Sequence, residues 1–248
     1  MSISNYIGRV LGVALAPAAF VASALRRDRI FHPDGVLYRA EVEPAAQHAA
    51  LRPLAKRLAG VALVRLSGAL WRWPQGRRRP DLLGVSVRVR GNDETTLRRL
   101  PGDQDLSFVT ATSLLRMPIA ALATDTGDYL DNSYYSLLPY RLEGLGQVRL
   151  RLVSLQPAPA GADRNRRLEL AVAKRKAIFC LELQGEALGD DWHPLATVDL
   201  RDRLEVDEDA FELDPGSSAM GLVPDGLLQS VRVEVYAASQ AGRRLTDG

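Results

Sequence analysis

Apolar and polar residues alternate along two segments of the chain. Residues 83–90 alternate three valines with a serine and two arginines, and residues 147–153 alternate valine and leucine with two arginines. A period of two is typical of a β-strand with one buried face, because successive side chains point to opposite sides of a sheet. Further strands are predicted where short apolar runs lie between turns rich in Gly, Pro and Asp, at residues 61–67, 105–112, 168–173, 178–184 and 196–200.

Two other segments favour helix. In residues 45–59, His48, Leu51, Leu54 and Leu58 recur on one side of a helix, and residues 114–122 form an apolar stretch that is compatible with another. Seven or eight strands with few helices predict a β-dominated α+β fold built on a closed antiparallel β-barrel.

Length and composition narrow the functional classes. A chain of 248 residues with no obvious linker favours one large barrel domain, over residues 28–248. The net charge of +2 excludes the basic footprint of a nucleic-acid-binding protein. Cys180 is the only cysteine, so an internal disulfide is impossible, and the three scattered histidines offer no zinc-binding spacing.

The first 27 residues form a separate apolar segment. Residues 10–25 are almost entirely apolar or small, but sixteen residues are too few to span a bilayer comfortably. A secretory signal ending near Ala22-Ser23-Ala24 and a helix that lies on a membrane surface or packs on a partner both fit this composition. We expect a cytoplasmic protein, with a periplasmic or membrane-associated location as the alternative.

Chemistry is concentrated near the C-terminus. Arg232, Tyr236, Gln240 and Arg243 are spaced by four, four and three residues, which places them on one face of an α-helix. A guanidinium close to a tyrosine favours the phenolate, and a tyrosine phenolate is one of the axial ligands of haem iron. The same spacing is also that of an amphipathic tail.

Three segments, in this order along the chain, resemble those of the haem catalases. Arg29-Ile-Phe-His32-Pro-Asp-Gly35 is similar to the family's distal-histidine segment, and Val64-Arg65-Leu66-Ser67 is similar to its Val-Arg-Phe-Ser strand. The C-terminal pattern from Arg232 to Arg243 fits the proximal helix. The short length is most similar to the small catalase-related proteins, which consist of little more than the barrel.

The resemblance implies a role for each matching residue. His32 would be the distal acid and base, and Ser67 would hold its other ring nitrogen. Tyr236 would be the ligand of the iron in haem b (heme), on a C-terminal helix, and Arg232 would keep it ionised. The haem propionates would be bound by Arg29, Arg65 and Arg243, because guanidinium groups pair well with carboxylates.

One position departs from the family. Catalases place an asparagine beside the distal histidine, whereas this chain has Asp105-Leu106-Ser107-Phe108-Val109-Thr110 there. Thr110, or Thr112 after a small shift, offers the nearest polar group and is the third candidate catalytic residue beside His32 and Ser67. The loss of the asparagine favours peroxide-driven oxidation, or rearrangement of an organic hydroperoxide, over rapid dismutation of hydrogen peroxide.

The expected function is therefore that of a haem-dependent peroxidase acting on hydrogen peroxide or organic hydroperoxides, with homo-oligomerisation left open. Two alternatives remain: a haem-free, non-enzymatic barrel that binds an apolar ligand or partner, and a haem hydroperoxide isomerase. The aromatic residues Tyr134, Tyr135 and Tyr140 are compatible with a substrate channel, although core or rim packing is the more common role.

Overall fold

The computed structural model describes residues 34–68, 80–92, 94, 96–206, 210–214 and 216–225. Its strands are β1 (Asp34–Pro44), β2 (Gly60–Gly68), β3 (Leu83–Val89), β4 (Gln104–Val109), β5 (Ser133–Tyr135), β6 (Tyr140–Leu142), β7 (Gly146–Ser154), β8 (Ile178–Gly185), β9 (His193–Arg203) and β10 (Val223–Pro224). Eight of them pair in the order β7–β5–β4–β3–β2–β1–β9–β8, and β8 pairs with β7 to close the ring. Every pairing is antiparallel. The predicted closed antiparallel barrel is confirmed.

The two remaining strands extend the sheet beside the ring. The start of β7 pairs with β6 through Val148, and its end pairs with β5 through Leu152. The strand β10 pairs with β6. The described helices are few and short: α1 (Arg52–Arg57), α2 (Met117–Ala123) and α3 (Arg164–Ala173), with 3-10 turns at Ala49–Leu51, Leu114–Arg116 and Glu186–Leu188. Within the described ranges, no helix has the length and apolar character needed to cross a membrane.

The barrel interior is filled by side chains. Alternate residues of the eight strands point inward and form one apolar cluster, which also includes residues of α1 and α3. Across the ring, Val64, Leu106, Tyr134, Leu152 and Leu181 are each at most 2% exposed. The interior is therefore a packed core, and the outer surface of the barrel is where ligands have room.

One predicted strand is wrong. Residues 168–173 lie in α3, where Leu168 and Ala171 are buried one turn apart. The carboxylate of Asp163 accepts a hydrogen bond from the backbone N–H of Arg166 at 2.8 Å and so caps the start of this helix. The cap and the three-residue spacing of buried positions outweigh the short apolar run that indicated a strand.

The longest strands include one that the sequence analysis did not predict. In β1, Val36, Tyr38, Ala40 and Val42 alternate inward toward the core, the same signal that identified β3 and β7. The predicted helix at residues 45–59 is shorter than expected, because α1 begins only at Arg52. The apolar stretch at 114–122 is helical as predicted, as a 3-10 turn followed by α2.

Candidate functional site

The candidate residues Arg65 and Ser67 lie on the outer face of the barrel. In β2, Ala62, Val64 and Leu66 belong to the interior cluster, so the residues between them point outward. Both Arg65 and Ser67 are nevertheless only 2% exposed. This outer face therefore carries a buried guanidinium next to a buried hydroxyl, and it is the candidate location of a functional site.

The row that contains Ser67 has a glycine on either side. Ser67 pairs in register with Gly35 of β1 and with Gly84 of β3. Because glycines carry no side chain, nothing from the neighbouring strands stands beside the Ser67 hydroxyl on this face. Glycine inside a strand often marks a place where a ligand or another part of the backbone approaches closely. The adjacent row places Arg65 between Leu37 and Ser86.

Thr110 lies at the same end of the barrel. Val109, the residue before it, pairs with Gly84, which in turn pairs with Ser67. The Thr110 hydroxyl accepts a hydrogen bond from the backbone N–H of Leu83 at 3.1 Å and one from the Thr124 hydroxyl at 2.8 Å. Thr110 thus ties the end of β4 to the residue that ends α2, and the structure gives its hydroxyl this structural role.

The other predicted site residues lie outside the described part of the chain. They are Arg29 and His32 before β1, and Arg232, Tyr236 and Arg243 after β10, so the predicted C-terminal ligand helix also falls outside it. The structure therefore brings Ser67 and Thr110 to one end of the barrel, with Arg65 in the next row, and leaves the rest of the predicted site as a prediction.

Two tyrosines inside the barrel are unsuited to act as phenolate ligands. Burial raises the pKa of Tyr38 to about 12, and it raises the pKa of Tyr134 well above its ordinary value. The Tyr134 hydroxyl donates a hydrogen bond to the carbonyl oxygen of Tyr129 at 2.7 Å. Both side chains are therefore neutral phenols at physiological pH, and they serve the core.

A buried ion pair lies on the same outer face, one row from Arg65. The Arg88 guanidinium binds both carboxylate oxygens of Asp105, at 2.7 and 2.8 Å, and neither side chain is more than 1% exposed. Arg88 also donates to the carbonyl oxygens of Leu97 and Glu212 and lies over the Phe211 ring, with 4.7 Å to the centroid. These contacts hold two connecting segments against the barrel.

The next row repeats the arrangement. The Arg90 guanidinium binds Asp103 at 2.5 Å, and both side chains are fully buried. The Asp103 carboxylate also accepts hydrogen bonds from the backbone N–H groups of Leu100 and Gly91. In the described residues, no group of three or more acidic, histidine or cysteine side chains is arranged to hold a metal ion. Asp103 and Asp105 are thus partners of arginines.

Sequence reasoning missed these two pairs, although a signal was present. Arg88 lies on β3 and Arg90 directly follows this strand, Asp105 lies on β4 and Asp103 directly precedes it, and the two strands are antiparallel neighbours. Alternating charges of opposite sign on adjacent strands predict cross-strand ion pairs. What no pattern indicates is that covering segments remove all four side chains from water.

Comparison with known proteins does not assign the chain to a family. No protein-family model matches the chain, and no curated protein matches it. The resemblance to haem catalases therefore stays a prediction that depends on the short motifs. The established framework is a closed eight-stranded barrel with a buried, partly polar outer face on β2, β3 and β4.

Proposed function

We propose that this chain is a haem-dependent peroxidase with a tyrosinate-ligated site on the outer face of the barrel. The observation that carries the proposal is the burial of Arg65 and Ser67 beside Gly35 and Gly84. Guanidinium groups pair well with carboxylates such as the haem propionates, and glycine inside a strand often marks a place where a ligand or another part of the backbone approaches closely.

Two features of the described residues support the proposal of haem binding. Gly35 and Gly84 place no side chain beside Ser67 in its row, and the guanidinium of Arg65 in the next row is the kind of group that binds a propionate. His32 precedes Asp34 by two residues, and an extended chain advances at most about 3.6 Å per residue. This connectivity is compatible with contact between the His32 ring and the Ser67 hydroxyl.

Each side chain then has a defined task. When bound, haem supplies the redox-active iron at which a peroxide is reduced. Tyr236 would hold the iron, with Arg232 favouring its phenolate, and Arg29, Arg65 and Arg243 would bind the propionates. His32 would accept a proton from the proximal oxygen of the peroxide and return it to the distal oxygen as the O–O bond breaks. A hydrogen bond with Ser67 would fix the tautomer of His32.

The position of Thr110 supports oxidation of an organic donor over fast dismutation. Its hydroxyl is fixed by hydrogen bonds with Leu83 and Thr124 and carries a single proton, whereas the asparagine that catalases place beside the distal histidine carries an amide with two donors and a carbonyl oxygen. We therefore expect organic hydroperoxides, or hydrogen peroxide with an organic reductant, to be consumed faster than hydrogen peroxide alone.

The first experiment is a visible absorption spectrum of the protein expressed with haem supplied. We expect a Soret band with the high-spin ferric pattern of a phenolate ligand, and its loss in Tyr236→Phe. Tyr140→Phe is the matched control, because Tyr140 lies in β6, which β7 and β5 separate from β4. An unchanged spectrum in Tyr236→Phe would remove this residue as the ligand, and a protein that stays colourless with haem would overturn the proposal.

A second measurement separates the catalytic residue from cofactor binding. His32→Ala is expected to retain haem and to lose its reactivity toward peroxide. Equal rates of peroxide consumption in His32→Ala and the unaltered protein would exclude His32 from the mechanism. Arg65→Leu is expected to weaken haem retention without changing the spectrum of the haem that remains, because this residue would contact the propionates and not the iron.

A further inference from the structure

A small cavity opens beside β5 and β7, and β5 lies three strands away from β2, the strand of Arg65 and Ser67. Its volume is about 240 Å³, and it lies where the end of β5, the middle of β7 and the segment before β9 meet. Six residues line it: Thr112, Tyr135, Ser136, Arg149, Leu150 and Trp192. This volume is below the usual range for drug-sized ligands, about 300–1,000 Å³, so an occupant would be a single-ring molecule.

Two aromatic side chains form the apolar part of the cavity. The rings of Tyr135 and Trp192 meet edge to face, with centroids 6.2 Å apart and an interplanar angle of 62°. The Arg151 guanidinium lies over the Trp192 ring at 4.5 Å and is itself paired with Glu182. The indole is thus held in place by a cation that is already neutralised, and its position does not depend on a ligand.

The polar lining consists of donors. Arg149 is exposed and has no carboxylate partner within the described part of the chain, in contrast to Arg151. The Ser136 hydroxyl accepts a hydrogen bond from the backbone N–H of Leu150 at 3.0 Å, which leaves its own proton to donate. None of the six lining residues is acidic. A guanidinium, hydroxyls and an indole N–H attract an anion and have no carboxylate to repel it.

We propose that this cavity binds a small aromatic carboxylate. The carboxylate would pair with the Arg149 guanidinium, and the ring would lie against Trp192 and Tyr135. A single charge-assisted hydrogen bond or a single aromatic contact is weak alone, so both features are needed for measurable affinity. The inference does not depend on haem, because no residue with a task in the proposed peroxidase mechanism lines the cavity; Thr112, which does line it, is only the alternative to Thr110 in the sequence comparison.

The test is a titration of the full chain with benzoate, followed by NMR or calorimetry. Benzamide and acetate are the matched probes, since the first lacks the charge and the second lacks the ring. We expect benzoate binding to saturate at or below about 10 mM, in the range of a weak single-site ligand, with both controls weaker by about tenfold or more. Failure of benzoate to saturate, or equal binding of benzamide, would overturn the proposal.

Substitutions locate the site. Arg149→Gln is expected to weaken benzoate binding by about tenfold, the size typical of a lost charge-assisted contact. Arg166→Gln is the matched control, because Arg166 is equally exposed but lies on α3, where it pairs with Glu169. Trp192→Leu should also weaken binding, and Trp192→Phe should retain more of it. Unchanged affinity in Arg149→Gln would contradict the assignment even if benzoate binds elsewhere.

Discussion

The same sequence pattern leads to buried arginines in one half of the barrel, at β2, β3 and β4, and to partly or fully exposed arginines in the other half, at β5, β7 and β8. Both β3 and β7 alternate valine or leucine with arginine. On β3, Arg88 is fully buried in a pair with Asp105, whereas on β7 Arg149 is exposed and Arg151 is one-quarter exposed in its pair with Glu182. The strands have the same period and orient their arginines outward in the same way.

The difference lies in what covers each outer face. Segments near Leu97 and residues 211–214 contact Arg88 directly and exclude water from it. In the pair of Arg151 on β7 with Glu182 on β8, the Trp192 ring covers Arg151, and both side chains remain partly exposed to solvent. An ion pair gains strength in a low dielectric but also carries a larger desolvation cost there. The two halves therefore predict different consequences when a carboxylate is removed.

The largest effect is expected for Asp105→Ala. The change leaves the Arg88 guanidinium buried without its carboxylate and also removes the acceptor for the backbone N–H of Asp214. Breaking a buried pair on one side typically costs about 3–5 kcal/mol, so the free energy of unfolding should fall by that amount. Urea denaturation followed by circular dichroism measures it.

A double variant provides the control for this prediction. In Arg88→Met with Asp105→Leu, no charge is left unpaired, and the loss of stability should be smaller than in Asp105→Ala. A double variant that is less stable than the single one would mean that the hydrogen bonds of Arg88 to Leu97 and Glu212 matter more than the uncompensated charge.

The next effect is a pH dependence in the second half of the barrel. Cys180 faces outward from β8 but is only 6% exposed, and burial raises the pKa of its thiol to about 11. Because the folded pKa is raised, the thiol contributes stability below pH 9, its ordinary value, and this contribution is lost as the pH rises to 11. The loss is on the order of 2 kcal/mol.

Cys180→Ala should flatten this alkaline decline. The comparison requires urea denaturation of both proteins between pH 8 and about 11, the interval set by the two pKa values. In the unaltered protein at pH 8, alkylation of Cys180 should be much slower in the folded than in the unfolded state. Fast alkylation of the folded protein would show that the thiol is accessible and its pKa ordinary.

Alternation predicted the barrel, because a period of two determines which side chains enter the core. The same alternation exists in β1 and would have identified that strand. The short apolar run at residues 168–173 was the weaker signal, and there the cap by Asp163 decides for helix. The burial of Arg88 could not be predicted, since it depends on segments more than a hundred residues away in sequence, at Phe211 and Glu212.

From the sequence, only those candidate site residues that lie together on one segment could be identified. The motif around Arg65 and Ser67 located a buried polar pair, and the cross-strand glycines beside it became visible only through register. The cavity at Tyr135 and Trp192 combines residues that are 57 positions apart, 192 − 135, and strand closure alone brings them together. Motifs identify residues on one segment, whereas pockets require the topology.

A smaller effect is expected for Glu182→Gln. Its partner Arg151 is one-quarter exposed, so water replaces part of the lost interaction, and the free energy of unfolding should fall by about 1 kcal/mol, less than at Asp105. The release of Arg151 should also reduce its hold on the Trp192 ring, which fluorescence would report. A loss similar to that of Asp105→Ala would contradict the contrast between the two halves.

The smallest effect is expected for Glu169→Gln, although it removes two ion pairs at once. Glu169 pairs with Arg166 along α3 and with Arg203 of β9, and the two arginines are 58% and 39% exposed. Exposed pairs contribute little, because solvent screens them and long side chains lose entropy on pairing, so we expect a change within about 0.5 kcal/mol. If the loss of two exposed ion pairs lowers the free energy of unfolding less than the loss of the single pair at Asp105, then burial of an ion pair, and not the number of ion pairs, decides the contribution to stability. Urea denaturation at low and high salt tests this, since the small effect should disappear at high salt whereas the effect at Asp105 should persist.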